Sequence, residues 1–227
     1  MKLIVSLTSW KKRISTANIT IESILNQTRK ADSVELNLDY ENFPNGLSDL
    51  PDSITELEKS GKIKIFFEEK DLKVYEKLYP TIVRHNSEDV AIVTLDDDVT
   101  YPESYLDEIY NTLKHSDWLC TKDNYWTFGQ YMAYGPKAVK SIAKWVNKEF
   151  MENVPLDDHG IIMILLREKL IRGTKNNSVC EDRKYGHSFR RFFVTGYDVE
   201  KLTDKTCNYP LEQFRKEDAY MHKIGLI

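Results

Sequence analysis

Apolar residues recur along this chain in two rhythms, strand-length runs and helical spacings, and the two take turns. Leu3 to Thr8 is a short, mostly apolar run, and Ile21, Ile24 and Leu25 follow at helical spacing within Asn18 to Thr28. Val34 to Leu38, Ile63 to Phe67 and Val90 to Leu95 read as three further strands, with a helical stretch over Val74 to Arg84 before the last. Pro102 opens a helix with Leu106, Ile109 and Leu113 on one face, and Pro136 opens another with Val139, Ile142 and Val146. From Asp157 onward, Ile161, Ile162, Leu165 and Leu166 define one more apolar helix face. Strands alternating with helices predict an α/β fold with a mostly parallel central sheet flanked by helices. Beyond Ile171 the pattern turns polar and irregular, with Gly173 to Asn177 reading as a loop and Phe192 to Thr195 as a late strand.

At 227 residues, 41% of them hydrophobic and 30% charged, the chain can bury a substantial core and fits a single domain over 1–227. A net charge of −4 and the lack of a long basic block give nucleic acid no electrostatic footprint, so no nucleic-acid partner is expected. Cys120, Cys180 and Cys207 are too few and too scattered for a disulfide framework or a zinc site, which points to free thiols in a reducing compartment. Met1 to Trp10 is too short an apolar stretch for a signal peptide, and no segment reaches the roughly 20 apolar residues of a spanning helix. The expected location is cytoplasmic, with peripheral attachment to the inner face of a membrane left open.

The sharpest chemical feature is Asp96-Asp97-Asp98, placed directly after the fourth strand. Adjacent carboxylates repel one another and are costly to desolvate unless a cation or several donors compensate. Hard oxygen ligands suit Mg²⁺ or Mn²⁺, which complete their shells with water and substrate phosphates. The alternative is a solvated acidic turn. Asp157 and Asp158 fall at a helix start, where the dipole and unpaired N–H groups also favour acids for purely structural reasons. GxGxxG, GxxxxGK, GxSxG and HExxH are absent, which weakens the dinucleotide, P-loop, hydrolase and zincin readings. His85 and His115 read as surface residues near helix ends. His159, His187 and His222 lie where a metal or acid–base role could arise, although each alone reads as ordinary.

Three features in order carry a resemblance. Ser23-Ile24-Leu25-Asn26-Gln27-Thr28 before a strand ending at Asp39 resembles the S-I-L-x-Q-T helix of family 2-type glycosyltransferases. Asp96-Asp97-Asp98 resembles the DxD motif of GT-A-fold enzymes, and Asp157-Asp158 resembles their later acidic pair opening a helix. The resemblance covers about Leu3 to Ile171. The chain departs from it at Thr8-Ser9-Trp10-Lys11-Lys12-Arg13, where family 2 more commonly has a proline-bearing opening.

The resemblance implies a GT-A-type nucleotide-diphospho-sugar transferase fold, with 1–100 as the nucleotide-sugar half and 101–227 as the acceptor and catalytic half. It implies a donor such as a UDP-sugar, a glycan or glycolipid acceptor, a Mn²⁺ or Mg²⁺ cofactor, inversion at the anomeric centre, and a place in bacterial surface-glycan synthesis. Thr8, Ser9 and Arg13 would contact base and ribose, Asp39 the nucleoside, and Lys77 the phosphates, although Lys77 also reads as an exposed helix lysine. Asp98 would bind the metal most directly and Asp96 would bind it or the ribose, with Asp97 supporting and His187 as a third metal ligand. Asp158 would be the base, with Asp157 contacting the acceptor or orienting Asp158. Trp126 and Tyr131 are either a stacking face for the acceptor or core.

Two other classes fit part of the pattern. Asp96-x-Asp98-x-Thr100 satisfies the DxDxT signature of haloacid-dehalogenase-like phosphatases, with Asp96 as nucleophile, but that family carries it on the first strand. A non-catalytic nucleotide- or carbohydrate-binding module would keep the fold and have no need of Asp158.

Overall fold

A computed structural model describes residues 1–115, 118–120, 131–170 and 211–227. Strands β1 (Lys2–Thr8), β2 (Ser33–Asp39), β3 (Lys64–Glu68), β4 (Val90–Leu95), β5 (Trp118–Cys120) and β6 (Tyr131–Tyr134) form one six-stranded sheet in the order β3-β2-β1-β4-β6-β5. The first four are parallel, and β6 and β5 extend the sheet antiparallel beside β4. The expected mostly parallel α/β architecture is therefore present. Its helices are α1 (Ile14–Leu25), α2 (Asp52–Lys59), α3 (Tyr79–His85), α4 (Tyr105–Leu113), α5 (Pro136–Trp145), α6 (Lys148–Asn153), α7 (Asp157–Arg167) and α8 (Leu211–Lys223).

Successive strand residues point to opposite faces, so each central strand feeds two cores. Leu3, Val5 and Leu7 of β1 pack with Ala91, Val93 and Leu95 of β4 under α1, α2 and α4. Ile4 and Ile92 face the other way, into a second core built with α3, α5, α7 and Met221 of α8. That second face also holds polar groups. Ser6, Asn37, Thr81 and Glu35 are buried there, and Arg84 and His85 of α3 pair with Glu35 at 2.8 Å each.

Several boundaries differ from the sequence reading. The helix expected over Val74–Arg84 is split into a short 3-10 turn (Lys73–Tyr75) and α3, because Pro80 suits a first helical turn and lacks the N–H that an uninterrupted helix requires. α1 begins at Ile14, earlier than expected, and α4 begins three residues after Pro102. His85 is not a surface residue: its ring bridges Glu35 and Glu88 at 2.8 Å each. Gly160 of α7 lies so close to α6 that a Cβ would sit 2.9 Å from Phe150 and Val154. His187, Trp126, Gly173 to Asn177 and Phe192 to Thr195 lie outside the described residues. Among the described residues, no helix is long and apolar enough to cross a membrane.

Candidate active site

Parallel strands deliver their carboxyl ends to one edge of the sheet, and open α/β sheets bind ligands at that edge. Thr8, Asp39 and Leu95, with Asp96 directly after it, arrive there from three adjacent strands.

The three consecutive aspartates then part company. Asp97 turns inward, 2% exposed, where it accepts from the Ser9 hydroxyl and pairs with Arg13 Nη2 at 2.9 Å. Asp98 pairs with Arg13 Nη1 at 2.9 Å, so one guanidinium bridges two neighbouring carboxylates. Asp96 pairs with Lys77 Nζ at 3.1 Å. Burial pushes the Asp97 carboxyl up to about 6 against the opposing pull of Arg13 and Ser9, and its two aspartate neighbours add to the rise. Tyr101, buried beneath, is raised well above the usual phenol range by burial and then by Asp96, and its hydroxyl oxygen accepts from the Asp96 N–H at 3.1 Å.

α1 supplies the scaffold for this turn, which gives its Ser-Ile-Leu-Asn-Gln-Thr stretch a physical role. Thr20 Oγ1 donates to the Asp97 carbonyl at 2.9 Å, and Ser23 Oγ accepts from the Tyr101 N–H at 3.1 Å. Buried Gln27 donates to the Pro102 carbonyl at 2.6 Å and accepts from the Leu106 N–H at 2.9 Å. Thr28 donates to the Glu103 carbonyl from both its N–H and its hydroxyl. Thr20 and this stretch together therefore fix the path of the chain from Asp97 to the start of α4.

A second group of acids gathers nearby without having been expected. Asp39, Asp71 and Glu76 each bring one carboxylate oxygen within 4.8 Å of the other two. Thr8 donates to Glu76 at 3.4 Å, and Asn42 donates to both oxygens of Asp39 at 2.7 and 2.8 Å. Burial, then Asp39, Asp71 and Glu68, push the Glu76 carboxyl up to about 9. Sequence spacing could not reveal this group, since its members come from a strand end, a loop and the residue after a 3-10 turn.

Tyr75 Oη donates to the Val154 carbonyl at 2.6 Å, which draws the chain leading into α7 against the segment carrying Glu76 and Lys77. Asp157 and Asp158 are the first two residues of α7, and Leu156, rather than either acid, is the N-cap. The side chain of Asp158 is outside what the structure describes, as is that of Tyr131. His159 is buried and clamped, with Nδ1 2.7 Å from Glu217 and Nε2 3.3 Å from Asp218 of α8. Glu217 also accepts from the Leu156 N–H at 3.2 Å, so the C-terminal helix braces the entry to α7. The structure thus brings Ser9, Arg13, Lys77 and Asp96 to Asp98 into one charged cluster. Thr8 and Asp39 belong with the second acidic group instead.

No family model matches the chain, and no curated protein matches it in sequence. Among solved structures, TarS 1–349 from S. aureus in complex with UDP is similar with a TM-score of 0.53 at 12% identity, covering 73% of this chain and 55% of that one. TarS from S. aureus is similar with a TM-score of 0.50 at 12% identity, covering 66% of this chain and 31% of that one. The chain therefore spans at most little more than half of the length of these relatives. At such identities the likeness concerns the fold alone, which is the GT-A-type nucleotide-diphospho-sugar transferase fold.

Proposed function

We propose that the chain is a metal-dependent glycosyltransferase that moves a sugar from a nucleoside diphosphate donor, such as a UDP-sugar, to an acceptor hydroxyl with inversion. The observation that carries this reading is the charged cluster at the carboxyl edge of β1 and β4, where Arg13 and Lys77 meet Asp96 to Asp98. Both signs of charge at one edge suit a diphosphate and its counter-ion. A likeness of fold to TarS in complex with UDP supports the donor class. Residues 1–100 would form the donor half and 101–227 the acceptor half.

A divalent ion fits the donor set. Asp96 and Asp98 are partly exposed, with side chains 31% and 14% accessible, and each spends one oxygen on a protein cation, whereas Asp97 is committed inward. Held by Asp96 and Asp98, Mn²⁺ or Mg²⁺ would neutralise negative charge on the leaving diphosphate. Arg13 and Lys77 hold these carboxylates apart before substrate arrives, and Lys77 is placed to meet a phosphate as a point charge. Asp158, at the amino end of α7, accepts the acceptor's hydroxyl proton as its oxygen bonds to the anomeric carbon. The bond to the nucleoside diphosphate breaks, and that group leaves with the electron pair. Asp157 orients Asp158 or the acceptor.

The test is a thermal-shift and turnover screen of UDP- and GDP-sugars with and without Mn²⁺. Asp98→Ala is expected to lose metal-dependent stabilisation by nucleotide. Asp158→Ala is expected to bind nucleotide normally and to lose about 10²–10⁴-fold in turnover, the usual worth of a general base. Hydrolysis of a generic phosphate ester that depends on Asp96, with no nucleotide binding, would assign a phosphatase instead.

A further inference from the structure

Asp39, Asp71 and Glu76 lie outside the cluster assigned to the diphosphate, and among the described residues the cation paired with them is Lys73. Their carboxylates converge within 4.8 Å, and each is held in place by its own local contact. Asp39 closes a turn by accepting from the Asn42 N–H and Nδ2. Asp71 accepts from the Lys73 N–H at 2.7 Å and pairs with the Lys73 ammonium. Lys73 has φ of +56°, a left-handed conformation that a lysine adopts at a cost, and the Asp71 contact helps to hold it. Glu76 is 3% exposed, and among the described residues its buried Oε1 has no hydrogen-bond partner. A buried, unpartnered carboxyl oxygen beside two further carboxylates is costly to ionise unless a bound cation takes the place of its proton. Lys73 is a weak compensator, with a side chain 73% exposed.

We infer that Asp39, Asp71 and Glu76 form a divalent-cation site, separate from the strand-end aspartates and occupied independently of any nucleotide. All the donors are hard oxygens, which suits Mn²⁺, Mg²⁺ or Ca²⁺. Metal–oxygen distances of roughly 2.0–2.6 Å place opposite ligands roughly 4–5 Å apart, so a spread of up to 4.8 Å accommodates one ion among the three carboxylates. Its place beside Thr8, whose hydroxyl donates to Glu76, would let the ion pin the end of β1 to the segment carrying Lys77. A neutral nucleoside could donate hydrogen bonds here, but it brings no positive charge to this acidic group.

Mn²⁺ is the probe, titrated into the full chain without nucleotide and followed by the electron paramagnetic resonance of the free ion and by calorimetry. In the Asp98→Asn background, which removes a ligand of the other candidate centre, one Mn²⁺ per chain is expected to remain. Adding Glu76→Gln, or separately Asp71→Asn, is expected to weaken that binding by at least about tenfold. Circular dichroism and the melting temperature verify that each variant is folded. Unchanged Mn²⁺ binding in both double variants overturns the proposal, as does the absence of Mn²⁺ binding in Asp98→Asn. Glu76-dependent uridine binding without Mn²⁺ uptake would overturn it too, and would reassign the pocket to a neutral nucleoside. Sugar transfer is not read at any step, so the cation site and the transferase reading stand or fall separately.

Discussion

Two groups of three carboxylates share the carboxyl edge of the sheet, and they reach electrical balance by different routes. Asp96, Asp97 and Asp98 are adjacent in the chain and part in space: Asp96 turns to Lys77, while Asp97 and Asp98 take one arm each of Arg13 and Asp97 also accepts from Ser9. Asp39, Asp71 and Glu76 are scattered in the chain and converge in space, with one exposed lysine beside them. Side chains alternate between faces along an extended strand, and the turn after β4 keeps its three acids apart in a similar way, with Asp97 buried and Asp96 and Asp98 partly exposed. Convergence of three ligands therefore comes more easily from three elements than from three neighbours. A run of acids marks an edge of the fold, while a shared ligand sphere depends on tertiary packing.

The largest stability effect should come from removing the protein's own compensation. Arg13→Met leaves Asp97, with a side chain 1% exposed, facing Ser9 alone, and breaking a buried pair in this way costs about 3 kcal/mol. Chemical denaturation should show that loss, and Asp97→Asn in the same chain should recover part of it. If Arg13→Met costs nothing measurable, the first group is not balanced by Arg13 and the contrast between the two groups disappears.

A smaller effect, visible only in its pH dependence, separates partnered from unpartnered buried glutamates. Burial tends to raise the Glu35 carboxyl, but hydrogen bonds from His85 and Arg84 outweigh it and hold the group below its usual 4.5. A depressed folded value means that Glu35 contributes stability above 4.5, and that this is lost as pH falls through the folded value. Glu76 behaves oppositely in the metal-free protein. Its value of about 9 means that the folded state holds a proton the unfolded chain has released, so stability declines as pH rises from 4.5 toward 9. Glu35→Gln should flatten the acid limb of a stability–pH profile measured in chelator, and Glu76→Gln the alkaline limb, each by on the order of 1 kcal/mol. Parallel responses in the two variants would remove the distinction between them.

The same contrast explains what could be read in advance. The four parallel strands and the acidic run were legible because they follow from local periodicity, whereas the short antiparallel β5 and β6 were not: Val90 to Leu95 is buried throughout, and Asp96 follows it at the sheet edge. The Gln27 stretch was legible as a pattern, but its role as a clamp on the turn after Asp97 needed the hydrogen bonds to Pro102 and Leu106. Asp71 and Glu76 carried no signal, since one lies in a loop and the other in a stretch that read as continuous helix until Pro80 divided it. His85 looked like a helix-end surface residue because nothing local reveals that Glu35, on a strand fifty residues earlier, faces it.

The smallest expected stability effect is at Lys77, and it tests whether the first group holds two kinds of cation. Arg13 forks across two carboxylates and is itself largely buried, whereas the Lys77–Asp96 pair has side chains 27% and 31% exposed. Exposed pairs are worth under about 1 kcal/mol, because water screens them and two long side chains must be ordered. Lys77→Ala should therefore leave the melting curve nearly unchanged. If Lys77 instead spends its charge on the donor's phosphate, the same variant should weaken binding of a nucleoside diphosphate by about tenfold, the equivalent of about 1.4 kcal/mol. Calorimetric titration of UDP into both proteins reads this directly. A large stability loss with unchanged nucleotide affinity would make Lys77 a second Arg13, part of the framework that balances the aspartates. Unchanged stability with weakened affinity would make it a cation held loosely by Asp96 and available to the substrate.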